Sequence, residues 1–270
     1  TAFRYLTMVR EGADADALAD ARAKVFRAAR SWHVFKAIPG GGGVVARGII
    51  RLVPEDPEDP PIPLPGYNPV PLFDGDGNPL PQPKDNGSRR DDNSDGVLPE
   101  GAWGWIDSAS KDQLSGQVFG MVVLHEALSA IAGDATLDAV ERAEANRLIE
   151  EIAAVAVAIG GMLMAKRQIL GMEGPAGEGE YDLIIMDADG RPTMYHDLNP
   201  LSIEKIYLPE GATGFNVFNV YMAIGVLKGL LHVSGDPAIE DFLYRDFLGA
   251  RGYLAKAADT RGDDAVNYLY

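Results

Sequence analysis

Eleven of the eighteen prolines fall between positions 54 and 83. Proline locks φ and has no backbone N–H, so this stretch holds neither a regular helix nor a central strand. It divides the chain: a packed core has to be built from the residues before it and after it. The polar run DNGSRRDDNSDG at 85–96 extends the same region with turn-forming residues. Connections this long are uncommon inside a compact domain and are usually functional or partly disordered. The expectation is a single helical domain, 1–270, with a Pro/Gly-rich loop or arm, 54–101, inserted in it.

The flanks carry a helical period. In 14–37, Leu18, Ala21, Val25, Ala28 and Ala29 recur at three and four residues with charges between them. Pro39 and the run Gly40-Gly41-Gly42-Gly43 end that helix, which suits either a sharp reversal or close backbone approach. A short apolar segment, 44–52, follows. Ser110 and Gln113 make a capping-box pattern opening a helix over 110–131. A longer helix over 137–170 is charged in its first half and apolar in its second, with a bend expected at Gly160-Gly161. Extended segments at 181–186 and 193–197 flank a hairpin turn at 187–190. Helices at 214–233 and 236–257 complete the count, the latter with Pro237 in its first turn. About five helices in antiparallel pairs are expected, without the signatures of helical repeats.

Charge narrows the partners. With 24 Lys plus Arg against 40 Asp plus Glu, the net charge is −16, which disfavours phosphate backbones and anionic lipid surfaces alike. No nucleic acid and no membrane partner is expected. The longest apolar stretch, 152–165, is shorter than the roughly 20 residues a bilayer requires. The absence of cysteine removes thiol nucleophiles, disulfides and thiolate metal sites. No charged and then apolar leader stands at Thr1. A secreted or periplasmic location is the expectation.

Several motifs follow one another in order. Arg47 lies in VVARG; W-x-W-x-D-x-x-x-K-D-Q-x-x-G runs from Trp103 to Gly116; D-x-D-G-x-P-T runs from Asp187 to Thr193, with Asn199-Pro200 beyond it; Leu227-Lys228 precedes H-x-x-G-D-P, His232 to Pro237. This order resembles bacterial (α/α)-toroid proteins of the glycosidase-like, polysaccharide-processing kind, over most of the chain from about residue 26. The resemblance implies a mostly α fold of antiparallel helix pairs in a partial or complete toroid. It also implies a carbohydrate partner in a cleft at one end of the helices. Met194-Tyr195 stands where the pattern carries a Trp. A complete toroid holds more helices than are counted here, which leaves open a partner chain, a homo-oligomer, further sequence or a smaller fold.

Glycosidic chemistry needs two carboxylates, one protonated and one ionised. Asp112 is the candidate base or nucleophile, since a helix N-terminus favours an ionised carboxylate. Asp107 is the candidate second acid. Trp103, Trp105 and Tyr195 are candidates to stack on sugar rings, and Arg47, Gln113 and Asn199 to hold polar groups. Against this stands a plainer reading in which Asp112 and Gln113 only cap a helix and the tryptophans are core.

Calcium is the candidate cofactor: Asp74 and Asp76, and Asp187 and Asp189, alternate ahead of a Gly turn, as oxygen ligands for a hard cation do. Neither run has a Glu at its twelfth position, and ordinary turns explain both. His125-Glu126 evokes a zinc-protease helix, but the fourth residue after His125 is Ser129, so that motif fails. Glu126 follows Asp112 by fourteen residues, about 21 Å along a helix, too far for an acid/base pair. It reads as a surface or paired charge. His33 and His232 read as packing or surface residues. There is no P-loop and no G-x-S-x-G elbow.

The alternative function is a non-catalytic structural or assembly subunit whose proline-rich arm contacts neighbours.

Overall fold

The long helices begin at a side chain that caps them. The structure, a computed structural model, describes residues 1–54, 74–76, 89–168, 180–193, 198–204 and 215–260. Helix α1 covers Ala2–Glu11 and α2 covers Ala15–Ala37, opened by Asp14, whose carboxylate accepts from Ala17 N at 2.9 Å. Helix α3, Lys111–Gly133, carries the full reciprocal cap: Ser110 Oγ accepts from Gln113 N and Gln113 Oε1 from Ser110 N. Helix α4, Ala139–Met164, starts at Asp138; α5, Pro200–Glu204, follows the Asn199 side chain; α6, Val217–Ser234, starts at Asn216. Helix α7, Pro237–Asp241, runs on into a π-helical stretch, Phe242–Ala250, and α8 covers Tyr253–Asp259.

Three of these depart from expectation. Helix α1 was not read from the sequence; its Ala2 and Tyr5 are buried against the main core. Helix α4 stops at Met164 and runs unbroken through Gly160-Gly161. Gly160 serves packing there, because a Cβ would collide with the Ile239 side chain of α7. The expected helix at 236–257 divides at Gly252, whose φ of 62° opens α8.

Strands β1 (Gly48–Arg51), β2 (Arg89–Asp91) and β3 (Trp103–Ile106) form an antiparallel sheet in the order β1-β3-β2. Ile106 faces Gly48 on one side and Arg89 on the other. The polar run at 85–96 therefore supplies a sheet strand, which its turn-rich composition hid. Trp105 is fully buried in a small core with Ile38, Ala46 and Leu98, and its indole N–H donates to Asp91 O at 2.9 Å. Short strands β4 (Arg167–Gln168) and β5 (Glu180–Tyr181) pair antiparallel. The hairpin expected at 187–190 is a tight turn closed by the Met186–Pro192 bridge, with Thr193 N donating to Ile185 O at 2.9 Å; the rest of the arm expected at 193–197 lies outside the described residues. Its approach, Leu183 to Ile185, is fully buried in the apolar interior.

The glycine run makes both moves that it allows. All four residues have φ between 69° and 92°. Gly43 also lies so close to the Ala158 carbonyl and Met162 of α4 that a Cβ has no room.

The main core is built from α3, α4 and α6. A short connection turns α4 back along α3. Helix α6 runs parallel to α3: Lys111 meets Asn219 near their starts, and Glu126 meets His232 further along. By length and composition α3 and α6 could each cross a membrane, unlike the 152–165 stretch chosen from the sequence. Here they pack on each other and on α4, yet only 39% of the most apolar window of each is buried. They leave an exposed apolar face carrying Phe119, 68% exposed, and Tyr221, 51% exposed.

Candidate site at the polar end of the helices

Where α3 and α6 begin, buried polar side chains gather from separate parts of the chain. Arg90 on β2 is wholly buried, and its Nε donates to Asp107 Oδ2 at 3.1 Å, just past β3. Its other end approaches Asp189 Oδ2 at 3.3 Å, in the tight turn. Asp189 also accepts from Arg191, Nε at 3.1 Å and Nη2 at 2.9 Å. Arg90 thus joins two carboxylates eighty-two positions apart that the sequence presented as unrelated.

Asp107 is 1% exposed, and burial pushes its carboxyl above the usual carboxylate range. Ser108 N, donating at 2.9 Å, and the Arg90 guanidinium oppose that push, while the Asp189 charge adds to it. Ser108 itself has φ 63°, a left-handed conformation that costs an L-residue about 1–2 kcal/mol. Strained backbone beside a buried acid of raised pKa is an arrangement that clusters at functional sites.

A second chain of polar contacts lies beside the helix starts. Lys111 is 5% exposed and donates to Asn219 Oδ1 at 3.0 Å. Asn219 Nδ2 reaches Ser202 Oγ at 3.5 Å, and Ser202 Oγ donates to Asn199 O at 3.0 Å. Burying a lysine this deeply requires such partners.

The sequence-derived candidates divide on this frame. Asp112 is exposed in the first turn of α3, while Asp107 is enclosed in its ion pair, so the two do not form an open acid/base couple. Trp105 has no face left for a sugar, because the small core covers it completely. Trp103 is half-buried on β3, with the Arg51 guanidinium 5.6 Å from its ring. Gln113 and Asn199 spend their carbonyl oxygens on helix starts. Arg47 is half-buried; its backbone N donates to Ile106 O at 2.8 Å, next to Asp107, and its buried Nη1 has no hydrogen-bond partner among the described residues. Tyr195 lies outside the described residues.

The two acidic alternations that suggested calcium sit as follows. Asp189 Oδ2 is flanked by two guanidinium groups, those of Arg90 and Arg191. Asp74 Oδ1 accepts from Asp76 N at 2.9 Å, so that alternation makes a turn.

Arg90, Lys111 and Asn219 were missed. Arg90 stood in a run that read as loop, and Lys111 was not singled out from the motif that contains it. The signal that was present is the period: Lys111 lies three residues before Leu114 and seven before Val118, on the buried face of α3.

No family model, no curated protein and no solved structure matches this chain.

Proposed function

We propose that the chain is an arc of a helical toroid that binds and processes carbohydrate at the polar end of α3 and α6. The arc is supported by the packing sense: α3 and α6 run parallel, with α4 returning antiparallel against both, as inner and outer helices of a toroid do. The observation that carries the ligand reading is Arg47. A buried guanidinium nitrogen without an acceptor among the described residues, one residue from the sheet position facing Ile106, is a donor that a ligand oxygen would satisfy. The unmet donor is a cation, so the reading favours an acidic sugar, whose carboxylate matches a guanidinium in shape and charge. In this reading Asp112 is the base at the α3 N-terminus, Trp103 offers a half-buried ring for stacking, and Asp107 is a positioning group locked by Arg90.

The test is a panel of neutral and uronate-containing polysaccharides, assayed for binding and for new reducing and unsaturated ends. Wild type should act on an acidic member, Asp112→Asn should bind without turnover, and Arg47→Gln should lose binding. Turnover that persists in Asp112→Asn would overturn the assignment of the base; no binding to any glycan would overturn the reading.

A specific observation favours a second reading, assembly with a second copy of this chain. A groove of about 450 Å³ runs between α3 and α6, lined by Val118, Phe119, Val122, Met222 and Gly229. Large exposed apolar surface of this kind marks association sites. The face belongs to the same helices that a longer arc would continue.

A further inference from the structure

We infer that His125 and Glu126 of α3 and His232 of α6 form a binding site for a divalent transition-metal ion of the zinc class. One ligand atom from each residue lies within 4.8 Å of the other two. Two imidazoles and one carboxylate are a donor set that borderline-soft ions such as zinc accept, and three protein ligands leave a fourth position open. The site lies about 22 Å along α3 from Lys111, so it is independent of the polar end.

Helix packing creates the cluster. Gly229 lets α6 approach α3 so closely that a Cβ there would stand 2.5 Å from Val118 Cγ1. One turn further on, His232 Nε2 comes 2.6 Å from Glu126 Oε1. The His125 and His232 rings meet edge to face at 5.5 Å between centroids. His125 Nδ1 is buried and has no hydrogen-bond partner among the described residues; Glu126 Oε1 stands 3.9 Å away. An imidazole nitrogen shut away from water without a partner is costly, and a metal ion satisfies it directly.

The geometry allows closure. Ligand atoms around a tetrahedral zinc ion at 2.0–2.1 Å sit about 3.3 Å apart, so the widest pair has to close by about 1.5 Å at most. Glu126 and His232 side chains are 49% and 51% exposed, which gives them the rotamer freedom to do so. His232 also lines the apolar groove, so a molecule lying there borders the ion. The sequence hid this site because its ligands lie on two helices, 106 residues apart.

The test uses the full chain, stripped with chelator and titrated with zinc chloride by calorimetry, then with cobalt(II) by visible absorption. Wild type should bind one equivalent of zinc, melt at a higher temperature with it, and give the intense cobalt spectrum of a low-coordinate site. His125→Ala and His232→Ala should each weaken zinc binding at least about tenfold and abolish that spectrum. Glu126→Gln, which keeps the side-chain shape, should also weaken it, and His33→Ala should not. Absence of saturable zinc binding in wild type would overturn the site. So would variants of His125 and His232 that bind as wild type does. The half-exposed positions of Glu126 and His232 keep these variants folded, and circular dichroism checks that.

Discussion

Arg90, wholly buried, lies between two buried carboxylates, Asp107 and Asp189. Removing one partner of a buried pair leaves an uncompensated charge, which costs about 3–5 kcal/mol. Arg90→Met should therefore destabilise the chain by about that amount in chemical denaturation. A variant within 1 kcal/mol of wild type would mean that Asp107 and Asp189 are held by other means. Surface charge behaves differently. Arg147 and Arg30 hold Glu144 down to about 2, against 4.5 in an unperturbed glutamate. A depressed carboxylate pKa adds stability that is present above 4.5 and lost as pH falls through about 2. Arg30 is 60% exposed and Arg147 49%, so solvent screens the network and the contribution stays below about 1 kcal/mol. Glu144→Gln should lower stability slightly at pH 6 and match wild type near pH 2. Denaturation midpoints at the two pH values check the sign.

Between elements, close approach depends on absent side chains. The α3–α6 contact passes through Gly229, and the α4–α7 contact through Gly160. Gly229→Ala should cost about 1–3 kcal/mol through overpacking against Val118. Adding Val118→Ala should recover part of that loss, because the two changes share one space. Thermal unfolding of the single and double variants measures the coupling; strict additivity would show that the helices part rather than clash. The same contact sets the spacing of Glu126 and His232, so Gly229→Ala should also weaken zinc binding.

For the whole molecule, the open issue is what covers the α3/α6 face. Phe119 contributes little to the monomer, since it stands outside the packed core. Phe119→Asp should leave the melting temperature of dilute protein nearly unchanged. If two copies associate through this face, sedimentation should find a concentration-dependent dimer in wild type and a monomer in the variant. An identical monomer in both would remove the assembly reading and leave the polar end of the helices as the functional region.

Local chemistry was legible in the sequence. The cap at Ser110 follows from side chains that reach backbone donors three residues away, and such contacts need no tertiary partner. The mostly α composition and the 187–190 turn follow from period and turn residues for the same reason. What tertiary structure alone decided is pairing at a distance. Arg90 reads as loop until β3 gives it a strand to join, and Trp105 reads as a stacking platform until Ile38 and Leu98 close over it. Asp189 reads as a turn residue or a cation ligand, and its pairing with two arginines is set by the fold. His232 reads as a solitary residue until α6 lies against α3. Burial and charge partnership depend on which segments the fold brings together, and a linear pattern of residue types does not encode that.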